Sequence, residues 1–134
     1  MKPIVIGNWK MNMNSKEAMV FMDTLLQGQQ LLHSASVTIC PAASVIPAVA
    51  EALRGTPIRW GAQNAHWEEH GAFTGETSMD MLVDLGCSVV LCGHSERRAH
   101  FHETDHDVSR KVQQAVAHGI TPVLCVGETY EQRS

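Results

Sequence analysis

Short runs of four to six apolar residues alternate with longer amphipathic stretches along the whole chain, and this alternation is its strongest constraint on fold. Pro3-Ile4-Val5-Ile6-Gly7, Val37-Thr38-Ile39-Cys40, Pro57-Ile58-Arg59-Trp60-Gly61, Ser88-Val89-Val90-Leu91-Cys92 and Thr121-Pro122-Val123-Leu124-Cys125-Val126 read as five strands. Between them lie helical patterns. Asn14 offers a cap with Glu17 at N3, ahead of Ala18, Met22, Leu25 and Leu26 at helical spacing. Ser44 is placed to cap a helix carrying Ile46, Val49, Ala50 and Leu53, and Ser78–Leu85 predicts a brief helix ended by Gly86. Thr104 opens a helix with Val108, Val112, Ala115 and Val116 on one side. Strands that are apolar on both faces and separated by helices imply parallel β-α units with both sheet faces covered. The pattern alone allows an open doubly wound sheet or part of a β/α barrel, both with chemistry at the carboxyl ends of the strands.

Composition narrows the function classes. A formal net charge of -4 gives no basic surface for nucleic acid, and no apolar run is long enough to span a bilayer. The start turns polar at Asn8-Trp9-Lys10, unlike a signal peptide, so the cytoplasm is the expected location. Cys40, Cys87, Cys92 and Cys125 form no C-x-x-C pair and lie within or beside strand-like runs, the pattern of buried free thiols.

Polar residues gather after the strands. Asn8, Trp9, Lys10 and Asn12 follow the first, Gln63 and Asn64 the third, and Gly93-His94-Ser95-Glu96-Arg97-Arg98 the fourth. In parallel β-α units these loops share one face, so Lys10, His94 and Glu96 can converge there. A cation, an imidazole and amide donors suit an anionic or carbonyl-bearing substrate.

The same segments carry a resemblance. Gly7-Asn8-Trp9-Lys10-Met11-Asn12, Gly61-Ala62-Gln63-Asn64, Gly71-Ala72-Phe73-Thr74-Gly75-Glu76-Thr77-Ser78, Cys92-Gly93-His94-Ser95-Glu96-Arg97-Arg98 and Thr121–Thr129 resemble, in order and spacing, the signatures of the triosephosphate isomerase family. The resemblance implies an α/β fold, the N-terminal portion of a (β/α)8 barrel with about five parallel strands and four helices, forming one partial domain over 1–134. A whole barrel needs about 250 residues. The family's glutamate base, closing lid and glycine-rich phosphate loops belong to later strands, so this chain is expected to stop early in the fifth helix. Two unpaired sheet edges would follow, favouring self-association or pairing with a complementing C-terminal half.

By resemblance, the reaction is the interconversion of dihydroxyacetone phosphate and glyceraldehyde 3-phosphate through an enediol, in glycolysis and gluconeogenesis. Lys10 would supply positive charge near the phosphate and the developing oxyanion, with Asn8 positioning it. His94 would be the electrophile, and a helix start directly after it would aim backbone N–H groups at its ring and favour the neutral imidazole. Glu96 would pair with the lysine, and it and Ser95 would be supporting residues of the site. Thr74, Gly75 and Glu76 would sit on a loop that reaches a neighbouring subunit and makes a homodimer. Neither a cofactor nor a metal is implied. Without the base, the chain alone is expected to be inactive, and the alternative is a non-catalytic half-barrel or binding module.

One motif points elsewhere. His102-Glu103-Thr104-Asp105-His106 is literally H-E-x-x-H, the pattern of a zinc hydrolase. Two histidines four apart chelate only when both lie on one helical face, and Thr104-Asp105 reads as a helix start between them.

Overall fold

The computed structural model describes residues 1–134. Five strands form one sheet: β1 (Ile4–Asn8), β2 (Ser36–Cys40), β3 (Arg59–Ala62), β4 (Val89–Cys92) and β5 (Thr121–Leu124). They lie in the order β1-β2-β3-β4-β5, every neighbouring pair parallel. A doubly wound sheet reverses its strand order at a switch point, whereas a barrel wall adds each strand beside the last. The unreversed order is that of a half-barrel.

The helices are α1 (Ser15–Gln27), α2 (Ile46–Leu53), α3 (Met79–Asp84), α4 (Ser95–His100), α5 (Asp105–Ala117) and α6 (Tyr130–Arg133). There are six α-helical segments because the connection after β4, expected as one helix, is split into α4 and α5, while α6 is the turn where a fifth helix was expected to begin. The split falls at His102, whose φ of 56° is a left-handed conformation that no helix interior accepts. Asn14 and Thr104 both cap as their sequences predict, in reciprocal boxes with Glu17 and Asp107. Ser44 does not. It lies inside a 3-10 turn at Ala43–Val45, and α2 starts at Ile46 with no side-chain cap. Pro47, at the second helical position, has no N–H to satisfy and a φ already suited to a helix, so the start needs less help from a cap.

The core lies between sheet and helices, where Ile39, Trp60 and Val90 meet Met22, Val49, Leu82, Val108 and Ala115. Close strand packing explains Gly61 on β3: a Cβ there would stand 2.6 Å from Val89 O and 3.0 Å from Cys40 Sγ. All four residues of β4 are buried, as a strand covered on both faces requires. The edge strands are not covered to that degree. Ile4 on β1 is 69% exposed and Leu124 on β5 is 50% exposed, so the expected open edges are apolar. No helix is long and apolar enough to cross a membrane.

Candidate active site

The carboxyl ends of β1, β3 and β4 open onto a cavity of about 440 Å³, bordered by Asn8, Lys10, Gln63, His94, Glu96 and Glu76 among others. Lys10 follows β1 with a φ of 55°, a conformation uncommon for a side-chain-bearing residue. Its backbone is clamped from both sides: Lys10 N–H donates to Asn8 Oδ1 at 2.9 Å, and Gln63 Nε2 donates to Lys10 C=O at 2.8 Å. Gln63 Nε2 also reaches Cys40 C=O at 3.0 Å, which ties the carboxyl ends of β1, β2 and β3 together. Strained backbone of this kind persists where neighbours over-determine it.

The Lys10 ammonium meets Glu96 Oε1 at 2.6 Å, and this hydrogen bond holds the Glu96 carboxyl below the usual carboxylate range. Glu96 stands in the first turn of α4, where a negative charge also suits the helix dipole. His94 is the N-cap of α4. Its Nδ1 accepts the Glu96 backbone N–H at 3.1 Å, so the proton of the neutral ring belongs on Nε2. The helix start after His94 therefore supplies the N–H that its sequence led us to expect.

Glu103 anchors this arrangement from beneath. Its side chain is 4% exposed and accepts from Gly93 N–H at 3.1 Å, Arg97 Nε at 2.8 Å and Lys111 Nζ at 3.0 Å. Burial alone would push its carboxyl up, but the Arg97 and Lys111 hydrogen bonds outweigh that and hold it below its ordinary value. Lys111, nearly as buried, also donates to Asn64 Oδ1 at 2.7 Å. Arg98 Nε takes the carbonyl of Gly93 at 2.8 Å. Both backbone groups of the residue before His94 are thus held by side chains. Gly93 itself has a φ of 72°, and a Cβ there would come within 2.8 Å of Val108. The His94 loop is fixed from inside the protein, independently of any ligand.

Asn8, Lys10, His94 and Glu96 come together around one cavity. Ser95 opens α4 but is exposed and lies outside the cavity wall. On the long loop, Gly75 and Glu76 border the cavity on their own chain, while Thr74 is exposed beside them.

The H-E-x-x-H reading fails on geometry. His102 lies outside α5 in a left-handed conformation, His106 lies inside it, and Glu103 is engaged by Arg97 and Lys111. The two histidines share no helical face, and no group of three or more His, Cys, Asp or Glu side chains is placed to hold a metal. Sequence reading missed the Glu103–Lys111 pair altogether. One signal was available: Lys111 occupies the i+3 place in the apolar series Val108, Val112, Ala115, where a lysine needs a buried partner.

The sequence model of the triosephosphate isomerase family matches residues 3–134. The triosephosphate isomerase of Alkaliphilus oremlandii is 47% identical over 134 residues, which are 98% of this chain and 53% of that protein. That of Carboxydothermus hydrogenoformans is 46% identical, with the same shares covered. The crystal structure of triosephosphate isomerase from Bartonella henselae superposes with a TM-score of 0.87 at 36% identity, covering 99% of this chain and 55% of that one. The chain spans about half the length of the curated relatives it matches. It belongs to the triosephosphate isomerase family, and its fold is half of that family's barrel.

Proposed function

We propose that this chain supplies the lysine–histidine half of an isomerase site that interconverts dihydroxyacetone phosphate and glyceraldehyde 3-phosphate through an enediol. The observation that carries the reading is the convergence of a strained, clamped Lys10 and an N-capping His94 on one cavity. His94 Nε2–H is free to donate to the substrate's carbonyl and hydroxyl oxygens, because Nδ1 is occupied by the α4 backbone. Such a donor, fixed before substrate arrives, stabilises the oxygen on which charge develops without reorganising. Lys10 adds positive charge toward the phosphate and the same oxyanion. Asn8 and Gln63 hold its backbone, and Glu96 holds its ammonium.

The proton must move between two adjacent carbons, and that step needs a base. The carboxylates bordering the cavity are Glu76 and Glu96. Glu96 is committed to Lys10 and held below its ordinary pKa, which makes it a poor proton acceptor. Loss of a general base costs about 10²- to 10⁴-fold in rate, so the chain alone has little or no isomerase activity. The base is supplied by the half of the barrel that this chain does not span.

The apolar edges favour association as part of that function. Ile4 and Leu124 lie on opposite edges of an open half-barrel, positioned to pair with the remaining strands. The partner is a complementing C-terminal half, and the finished barrel forms a homodimer through the loop carrying Thr74, Gly75 and Glu76. The location is the cytoplasm, and the substrate is a small triose phosphate. Calorimetric titration of the chain with a phosphate-bearing enediolate analogue tests the reading. Binding that weakens in both Lys10→Met and His94→Gln supports it, and equal binding by wild type and both variants overturns it.

A further inference from the structure

The long loop between β3 and α3 is gripped by one face of α5. Arg110, Gln114 and His118 are spaced four residues apart, so they form a single stripe along that helix and its C-cap. The Arg110 guanidinium lies over the Trp67 ring, 5.2 Å from its centroid. Glu69 Oε1 accepts from Gln114 Nε2 at 2.6 Å and lies 3.0 Å from His118 Nε2. Two alternate residues of the loop thus engage three successive turns of one helix. The loop also closes on itself at its neck, where His66 N–H donates to Thr77 C=O at 2.8 Å and the His66 and Phe73 rings pack with centroids 4.4 Å apart, tilted by 43°. Between Glu68 and Glu76 every residue is exposed. Trp67 and Glu69 are therefore the handles by which the body of the chain controls that exposed segment.

We propose that the Arg110–Gln114–His118 stripe is a latch that positions this loop, and through it the part of the cavity wall formed by Gly75, Glu76 and Thr77. None of the latch residues borders the cavity. Arg110 adjoins Lys111, which holds Asn64 at the start of the same loop, so one helix sets both the loop's origin and its course. Changes at residues 67, 69, 110, 114 or 118 can retune the cavity wall while leaving Lys10 and His94 untouched. The inference concerns the wall of the site proposed above but does not depend on its chemistry, because the loop can be observed without turnover.

Amide hydrogen exchange on the full chain tests it, in wild type, Arg110→Ala, Glu69→Ala, Glu69→Gln, His118→Ala and the Glu69→Ala/His118→Ala double variant. Each alanine change is expected to speed exchange of the His66 and Glu76 amides by about 2- to 5-fold, the effect of losing exposed hydrogen-bonded or cation–π contacts. The double variant should match Glu69→Ala alone, and Glu69→Gln, whose amide oxygen still accepts, should stay nearer wild type. Exchange in β4 should not change. Unchanged loop exchange, additive effects in the double variant, or an equal rise in β4 would each overturn the proposal.

Discussion

Replacing Glu103 by glutamine preserves side-chain size and removes the negative charge that Arg97 and Lys111 share. The carboxylate is 4% exposed and Lys111 6%, so little water is at hand to solvate what remains. Breaking a buried pair by removing one partner costs about 3–5 kcal/mol. The variant's amide oxygen can still accept from Gly93 N–H, and Arg97, at 29% exposed, can turn to solvent. The lower end, about 3 kcal/mol, is therefore expected. For a chain of 134 residues that corresponds to a drop of about 10 °C in Tm. Urea and thermal unfolding followed by circular dichroism measure both quantities. Adding Lys111→Met removes the stranded cation, so the double variant should lose less than the sum of the two single changes. The pH dependence has a definite sign. The folded pKa of Glu103 is depressed, so its stabilisation is complete above the ordinary value of 4.5 and is lost as pH falls through the lower folded value. The gap between wild type and Glu103→Gln should narrow in that acid range. A cost under about 0.5 kcal/mol with additive single effects would refute the buried-network account.

Other perturbations report on separate parts of the structure. Gly93→Ala forces a side chain into a left-handed backbone and against Val108, and should cost about 2–4 kcal/mol in urea unfolding, with weakened analogue binding through the displaced His94. Asn14→Ala removes the capping box of α1 and should cost about 1 kcal/mol with no effect on the site. Burial pushes the Cys40 thiol up to about 12 and those of Cys87 and Cys92 to about 11. A thiol reagent at pH 8 should therefore label the partly exposed Cys125 first, and equal labelling of all four under native conditions would contradict the packing described.

Much of this was readable from residues, and the parts that were not share a cause. The β-α alternation and the caps at Asn14 and Thr104 are local, set by spacing and by side chains reaching three residues along the chain. The meeting of Lys10, His94 and Glu96 was legible because parallel strands deliver their following loops to one face. The half-barrel needed the family resemblance, since apolar periodicity does not distinguish a barrel wall from an open sheet. Ser44 misled because a good capping residue lost to a 3-10 turn followed by Pro47. Glu103 and Lys111 were harder to read because the place of Lys111 in the apolar series of α5 implies a buried partner without saying which residue it is. A glutamate before a helix cap reads as solvated acid until a lysine is found buried beside it. Gln63 was visible as a polar residue after β3 and as part of the Gly61–Asn64 signature; its double grip on Lys10 and Cys40 depends on strand register.

Complementation reports directly on whether this chain holds half of an isomerase site: it is mixed with the remaining half of a relative such as the Alkaliphilus oremlandii triosephosphate isomerase, and glyceraldehyde 3-phosphate turnover is followed. Near-background turnover is expected from the chain alone and restored turnover from the mixture. Restoration should fail with Lys10→Met or His94→Gln chains that still associate with the partner. Turnover by the chain alone near that of an intact relative, or restored turnover indifferent to both substitutions, would contradict that reading.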